Sequence, residues 1–188
     1  MSNRKILIAY GTRFGSTEEV SEKLASLFEK AGHESCLMNL KKTPEAQWPS
    51  PKEFDGILVG SSIKRGQWTT EPKLYLVKYK EYFGDEIVLG IFISSGFAAK
   101  ADRRPKIRKE YIETVLDEIG VQANMLDAFG GVIDFSRSSK IGWLDKKIIG
   151  LASKDDPAIK KKKRNDLRDW DQIRAFGENF AELVRKKT

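Results

Sequence analysis

Residues 6–19 read Ile6-Leu7-Ile8-Ala9-Tyr10-Gly11-Thr12-Arg13-Phe14-Gly15-Ser16-Thr17-Glu18-Glu19. An apolar run ends in a short loop of glycine and hydroxyl residues, and a helical pattern begins at once. This strand, turn and helix start would offer backbone N–H groups and hydroxyls to a phosphate. Two familiar phosphate loops are excluded by spacing. No Gly-Lys pair occurs there, and Gly11 and Gly15 lie four apart, which breaks G-x-G-x-x-G. Thr12, Arg13, Phe14, Gly15, Ser16 and Thr17 are the candidate contacts, with Arg13 as a charge-assisted donor. Ser16 and Glu19 also have capping-box spacing. The loop alone therefore leaves a phosphate site and a plain helix cap both open.

Outward from this stretch, strand and helix patterns alternate. Residues 5–10 read as a strand covered on both faces. Helix 16–31 follows with Val20, Leu24, Leu27 and Phe28 on one face, ended by Gly32. Further strands are predicted at 34–39, 56–60, 87–93 and from Ala123 to Phe135, the last interrupted or bulged at Gly130-Gly131. A helix opening at Glu71-Pro72 carries Leu74, Val77 and Tyr82. Another, at about 103–119, carries Ile107, Tyr111, Val115 or Leu116, and Ile119. The final helix begins near Asp169 and shows Trp170, Ile173, Phe176, Phe180, Leu183 and Val184. The pattern predicts an α/β fold, a parallel five-stranded sheet with helices on both faces. Ligands of such sheets bind beyond the carboxyl ends of the strands.

That rule selects two more loops. The one after strand three holds Ser61, Ser62, Ile63, Lys64, Arg65, Gly66 and Trp68; the one after strand four holds Ser94, Ser95, Gly96 and Phe97. Small polar residues let the backbone approach a flat ring, and an aromatic can cover its face. Trp68 and Phe97 are equally readable as core residues under loops.

The first loop resembles the phosphate loop of flavodoxins, T/S-x-T-G-x-T, with Thr12, Gly15 and Thr17 in register and Phe14 in place of the middle Thr. The resemblance implies the flavodoxin-like strand order 2-1-3-4-5 and an FMN cofactor, with all three loops holding the flavin. A narrower resemblance is to the menaquinone-dependent protoporphyrinogen oxidases, flavodoxin-domain proteins with G-[AS]-S-I-x-x-G in the second loop. It rests on Gly60–Gly66, on Gly130-Gly131-Val132-Ile133-Asp134-Phe135 followed by Trp143-Leu144-Asp145-Lys146, and on Arg168-Asp169-Trp170-Asp171-Gln172-Ile173. It spans residue 5 to about 185. It implies an FMN-dependent oxidoreductase of heme biosynthesis acting with a quinone and a tetrapyrrole; the alternative is an electron carrier that docks to redox proteins. Where many flavodoxins set an aromatic against the flavin, this loop has Lys64 or Arg65, and a cation near the ring favours its full reduction.

Size and composition bound the rest. A chain of 188 residues suits a single domain, 1–188, with an insertion at about 136–168. With one cysteine (Cys36) and one histidine (His33), neither a disulfide scaffold nor a Cys/His metal site is expected. Cys36 reads as a small core residue. The N-terminus lacks a signal-peptide pattern, so a cytoplasmic location is expected.

The net charge of +7 is local. Residues 1–136 hold 19 basic and 19 acidic residues, whereas 137–188 hold 15 and 8. Within that basic end Ile141, Leu144, Ile148 and Leu151 share a helical face, with Trp143 beside them and Lys140, Lys146, Lys147 and Lys154 around the rim. Such a helix packs on its own domain, covers a partner groove or, through residues 137–154, lies peripherally on the inner face of the membrane. There each basic residue contributes about 1 kcal/mol of attraction to an anionic surface. The run Lys160–Arg164 reads as solvated and mobile. No recognised module accompanies it, so nucleic acid is not an expected partner.

Overall fold

β1 (Lys5–Gly11), β3 (Gly56–Ser62) and β4 (Val88–Ser94) form the centre of a parallel sheet, with β2 (Glu34–Asn39) and β5 (Met125–Phe129) at its edges. The order is β2-β1-β3-β4-β5, as the resemblance implied. The structure is a computed structural model that describes residues 3–84, 87–139, 141–152 and 159–187. Central strands in such a sheet are covered twice, which is why β1, β3 and β4 read as apolar runs. Pairing sets Gly11 beside Ser61 and Ser62 beside Ser94, so the three central strands end level. That common end is where the loops gather.

One face of the sheet is covered by α1 (Ser16–Lys30) and α6 (Trp170–Lys186), which bury Leu24, Phe28, Phe176 and Phe180 against Ile6, Ile8 and Phe92. The other is covered by α2 (Thr70–Tyr79), α3 (Arg104–Arg108) and α4 (Thr114–Ile119). A π-helical turn, Lys109–Glu113, joins α3 to α4. Its wider turn shifts the buried positions to Ile107, Ile112 and Leu116, leaving Tyr111 only half-buried.

Several expectations are corrected. In α2 the core side chains are Pro72, Tyr75 and Leu76, while Leu74 and Val77 face outward. Tyr75 turns inward because it joins Trp48, Tyr79 and Phe83 in an aromatic cluster. Strand five stops at Phe129. β6 (Val132–Asp134) leaves the sheet and pairs antiparallel with β7 (Arg164–Asp166). The glycines between allow that departure, since a Cβ on Gly130 would stand 2.0 Å from the Leu167 carbonyl oxygen.

The basic run is ordered at its turn. The buried Asn165 amide donates to the carbonyls of Lys160 (3.0 Å), Lys163 (3.1 Å) and Ile133 (3.1 Å). Arg164 pairs with Glu19 at 2.7 Å. Between β6 and β7 lies α5 (Trp143–Ala152). Lys140 and Lys154, two of the lysines expected around it, fall outside the described residues. Among the described residues no helix is long and apolar enough to cross a membrane.

Candidate functional site

The first loop turns through Gly15, whose φ of 93° is left-handed and suits glycine. Its N–H donates to Thr12 Oγ1 at 3.0 Å, closing the loop on itself. The first α1 bond runs from Glu19 N–H to the Gly15 carbonyl at 3.1 Å. The N–H groups of Ser16, Thr17 and Glu18 therefore precede the helical ladder, as at any helix start. Thr17 is fully buried, and its Oγ1 has no hydrogen-bond partner among the described residues. Gly11 is required by space: a Cβ there would meet Thr69 Oγ1 at 2.2 Å.

The expected capping box does not form. Gly15 is the N-cap and offers no side chain. Ser16 Oγ instead lies 3.0 Å from Ser94 Oγ, tying the first loop to the third. Glu19 is drawn away by Arg164 and Arg168. Burial pushes its carboxyl up, but hydrogen bonds and charge from these two arginines hold it below the usual range.

Arg13 also departs from expectation. Its guanidinium donates to the carbonyls of Ser62 (2.6 Å), Gln67 (3.1 Å) and Trp68 (2.5 Å), so it staples the second loop to the first. Three carbonyls converging on one fork satisfy the cation where the phosphate contact was expected.

The second loop is a tight hairpin. Lys64 and Gln67 exchange backbone hydrogen bonds of 3.0 Å, and Arg65 and Gly66 between them have φ of 52° and 77°. Two positive φ values are the signature of the hairpin turn that suits strand twist. Ser61 is buried: its Oγ accepts from Thr69 N–H at 3.0 Å and lies 2.9 Å from Thr69 Oγ1. It secures the start of α2. Ser62 Oγ accepts from Arg13 at 3.3 Å, and Ile63 rests half-buried on the core. Trp68 is 5% exposed and its indole N–H donates to the Tyr111 carbonyl at 2.5 Å. It is core beneath the loop, with no ring face left to cover a ligand.

In the third loop Ser94 and Ser95 are buried, and Ser95 Oγ accepts from Phe97 N–H at 3.3 Å. Gly96 rests close over Gly131, where a Cβ would stand 3.2 Å from the Gly96 nitrogen. Phe97 is 55% exposed. Phe14, from the first loop, is likewise exposed, with Lys64 Nζ 5.7 Å from its ring centre. These two rings, and not Trp68, are the loop aromatics presented to solvent.

Sequence reasoning gave Asp145 no role. It sits in the first turn of α5 and reaches Lys64 Nζ at 2.7 Å and Arg65 Nη2 at 3.1 Å. The hydrogen bond from Lys64 and the charges of both cations hold its carboxyl below the usual range. The two cations expected beside a bound ring are thus shared with α5. Nothing in local spacing announces this, since 80 residues separate Arg65 from Asp145.

Residues 7–164 match the family model described as Flavodoxin domain. The chain belongs to this flavodoxin-domain family. Among curated proteins it is similar to the protoporphyrinogen IX dehydrogenase [quinone] of Escherichia coli K12, at 23% identity over 98% of both chains. Among solved structures it resembles oxidised flavodoxin 1 from Bacillus cereus, with a TM-score of 0.53 and 16% identity over 95% of this chain and 97% of that one. It also resembles the rubredoxin oxygen:oxidoreductase of Desulfovibrio gigas, with a TM-score of 0.56 and 16% identity over 97% of this chain. This chain spans only 36% of that protein's length. These structural likenesses concern the flavodoxin fold.

Proposed function

We propose that this flavodoxin-domain protein binds one FMN noncovalently at the three loops and acts as an oxidoreductase. The observation that carries the reading is Thr17, a buried hydroxyl without a partner in the first turn of a helix that opens on a left-handed glycine. A phosphate monoester there would satisfy Thr17 Oγ1 and take up the N–H groups that precede the helical ladder. The residues present fit the group. Phosphate contact is assigned to Thr12, Gly15, Ser16 and Thr17. Ring contact is assigned to Phe14, Phe97 and the backbone of Ser62, Ile63, Lys64, Arg65, Gly66, Ser95 and Gly96. Arg13 acts indirectly, by holding the second loop. Bound FMN would supply the ring that takes up and releases electrons; the protein supplies orientation and charge.

The narrower reading is oxidation of a porphyrinogen-type tetrapyrrole with a quinone as acceptor. It is supported by the full-length likeness to the E. coli dehydrogenase. The basic end of the chain also suits a substrate that carries carboxylates. Acid treatment of purified, unheated protein is expected to release close to one FMN per chain, and the protein is expected to oxidise protoporphyrinogen with menaquinone present. A colourless protein that cannot be reconstituted with FMN overturns the cofactor reading. A flavin-loaded protein that reduces redox proteins but leaves protoporphyrinogen untouched is instead an electron carrier.

A further inference from the structure

Lys64 Nζ stands where three elements meet. It lies 2.7 Å from Asp145 Oδ2 in the first turn of α5, and 5.7 Å from the ring centre of Phe14 in the first loop. Its neighbour Arg65, in the hairpin turn, reaches Asp145 Oδ1 at 3.1 Å. Asp145 is the one carboxylate that either cation pairs with among the described residues. Against two cations it leaves positive charge in excess beside the loops assigned to the ring.

The seat of α5 is light. Trp143, Leu144, Ile148 and Leu151 are exposed, so no wide apolar face presses the helix down. Besides Asp145, Lys146 ties it, with Nζ donating to the Ser136 carbonyl at 2.8 Å. Lys64 and Arg65 are partly exposed, and ion pairs of that kind are weak enough to exchange partners. Asp145 also loses little on release, because a carboxylate in the first turn of its own helix is favoured by the helix dipole.

We propose that Asp145 is a latch that couples the seating of α5 to the charge at the ring site. Bound FMN supplies a ring that becomes anionic when it takes up more electrons than protons. Negative charge there competes with Asp145 for Lys64 and Arg65, and α5 lifts from the second loop when the cations turn away from it. The coupling is reciprocal: the factor by which ring charge favours opening is the factor by which opening favours charge on the ring. A seated α5 thus suits the neutral ring and a lifted one the charged ring. Lys64 and Arg65 act conditionally, through α5, and not as fixed charges.

This coupling rests on the FMN reading above. Full-length protein loaded with FMN, its loading read by visible absorbance, is treated with chymotrypsin before and after anaerobic reduction by dithionite. Cleavage at Trp143 or Leu144 is expected to be several-fold faster after reduction, and flavin-free protein to show no effect of dithionite. Asp145→Asn is expected to be cleaved fast in both states. It is also expected to raise the two-electron midpoint potential by ~30 mV, a tenfold change in the equilibrium, which a merely structural contact would not move. Equal cleavage of the loaded wild type in both states, or an unmoved potential in the variant, overturns the coupling. Protein that takes up no FMN fails the cofactor reading instead. Phe14→Glu in flavin-free protein then decides, since it sets a carboxylate beside Lys64: faster cleavage supports the latch and an unchanged rate overturns it.

Discussion

Arg168, just past the end of β7, donates to Glu19 Oε2 in the first turns of α1 at 2.6 Å. It also donates to the Ser16 carbonyl at 3.3 Å and to both carboxylate oxygens of Asp166, and it lies 4.4 Å from the Trp170 ring centre. Its side chain is 1% exposed. The segment that follows the sheet therefore holds the helix that opens at the first loop.

Arg168→Met keeps the length of the stem and removes the fork. It is expected to destabilise the fold by roughly 2–4 kcal/mol, less than loss of one partner from a fully buried pair, because Glu19 and Asp166 remain partly in water. Urea unfolding checks this. A variant within about 0.5 kcal/mol of wild type would show that the tie carries no stability.

The same cluster sets an acid limb. Asp166, like Glu19, is pushed up by burial and brought below its usual range by its bonds to Arg168. A depressed folded pKa stabilises at any pH above the unfolded values, about 4.3 for Glu and 3.9 for Asp, and that stability is lost as pH falls through the folded values. Wild-type stability is expected to drop below about pH 4, and Arg168→Met to flatten that drop. Urea unfolding repeated between neutral pH and pH 3 reads both.

Thr17→Val tests the unpartnered hydroxyl. Removing a buried group that has no partner costs the empty protein nothing and is expected to leave its melting temperature level or slightly raised. FMN binding is expected to weaken by about 1–2 kcal/mol, roughly fivefold to thirtyfold. Fluorescence titration with FMN checks it, and an unchanged affinity places the phosphate elsewhere.

Asp145→Asn removes the charge that seats α5 on the second loop. Lys64 and Arg65 are partly exposed, so global stability is expected to stay level. The helix is expected to open locally, making chymotryptic cleavage at Trp143 or Leu144 several-fold faster. Unchanged cleavage would show that Ser136 and the helix itself suffice to hold it.

The sheet was legible because β1, β3 and β4 are covered twice and so write themselves as apolar runs. The loops were legible because a parallel sheet puts its ligands at one end. What failed was long-range. Leu74 and Val77 look like core until Trp48 claims Tyr75, 27 positions away, and turns α2 about its axis. Glu19 looks like a cap partner until Arg168 takes it from 149 residues away. Trp68 looks like a ring cover until the Tyr111 carbonyl draws its indole inward. The face of α5 was legible as a stripe, but its direction was not: Asp145 decides it by binding a loop that local spacing does not connect to it.

The central claim is that the first loop is a phosphate site serving a flavin. Its most direct test is calorimetric titration of the flavin-free protein with FMN and, separately, with riboflavin, which has the same ring and no phosphate. One tight FMN site with riboflavin bound far more weakly is the predicted result. No FMN binding, or equal affinity for the two, would contradict it.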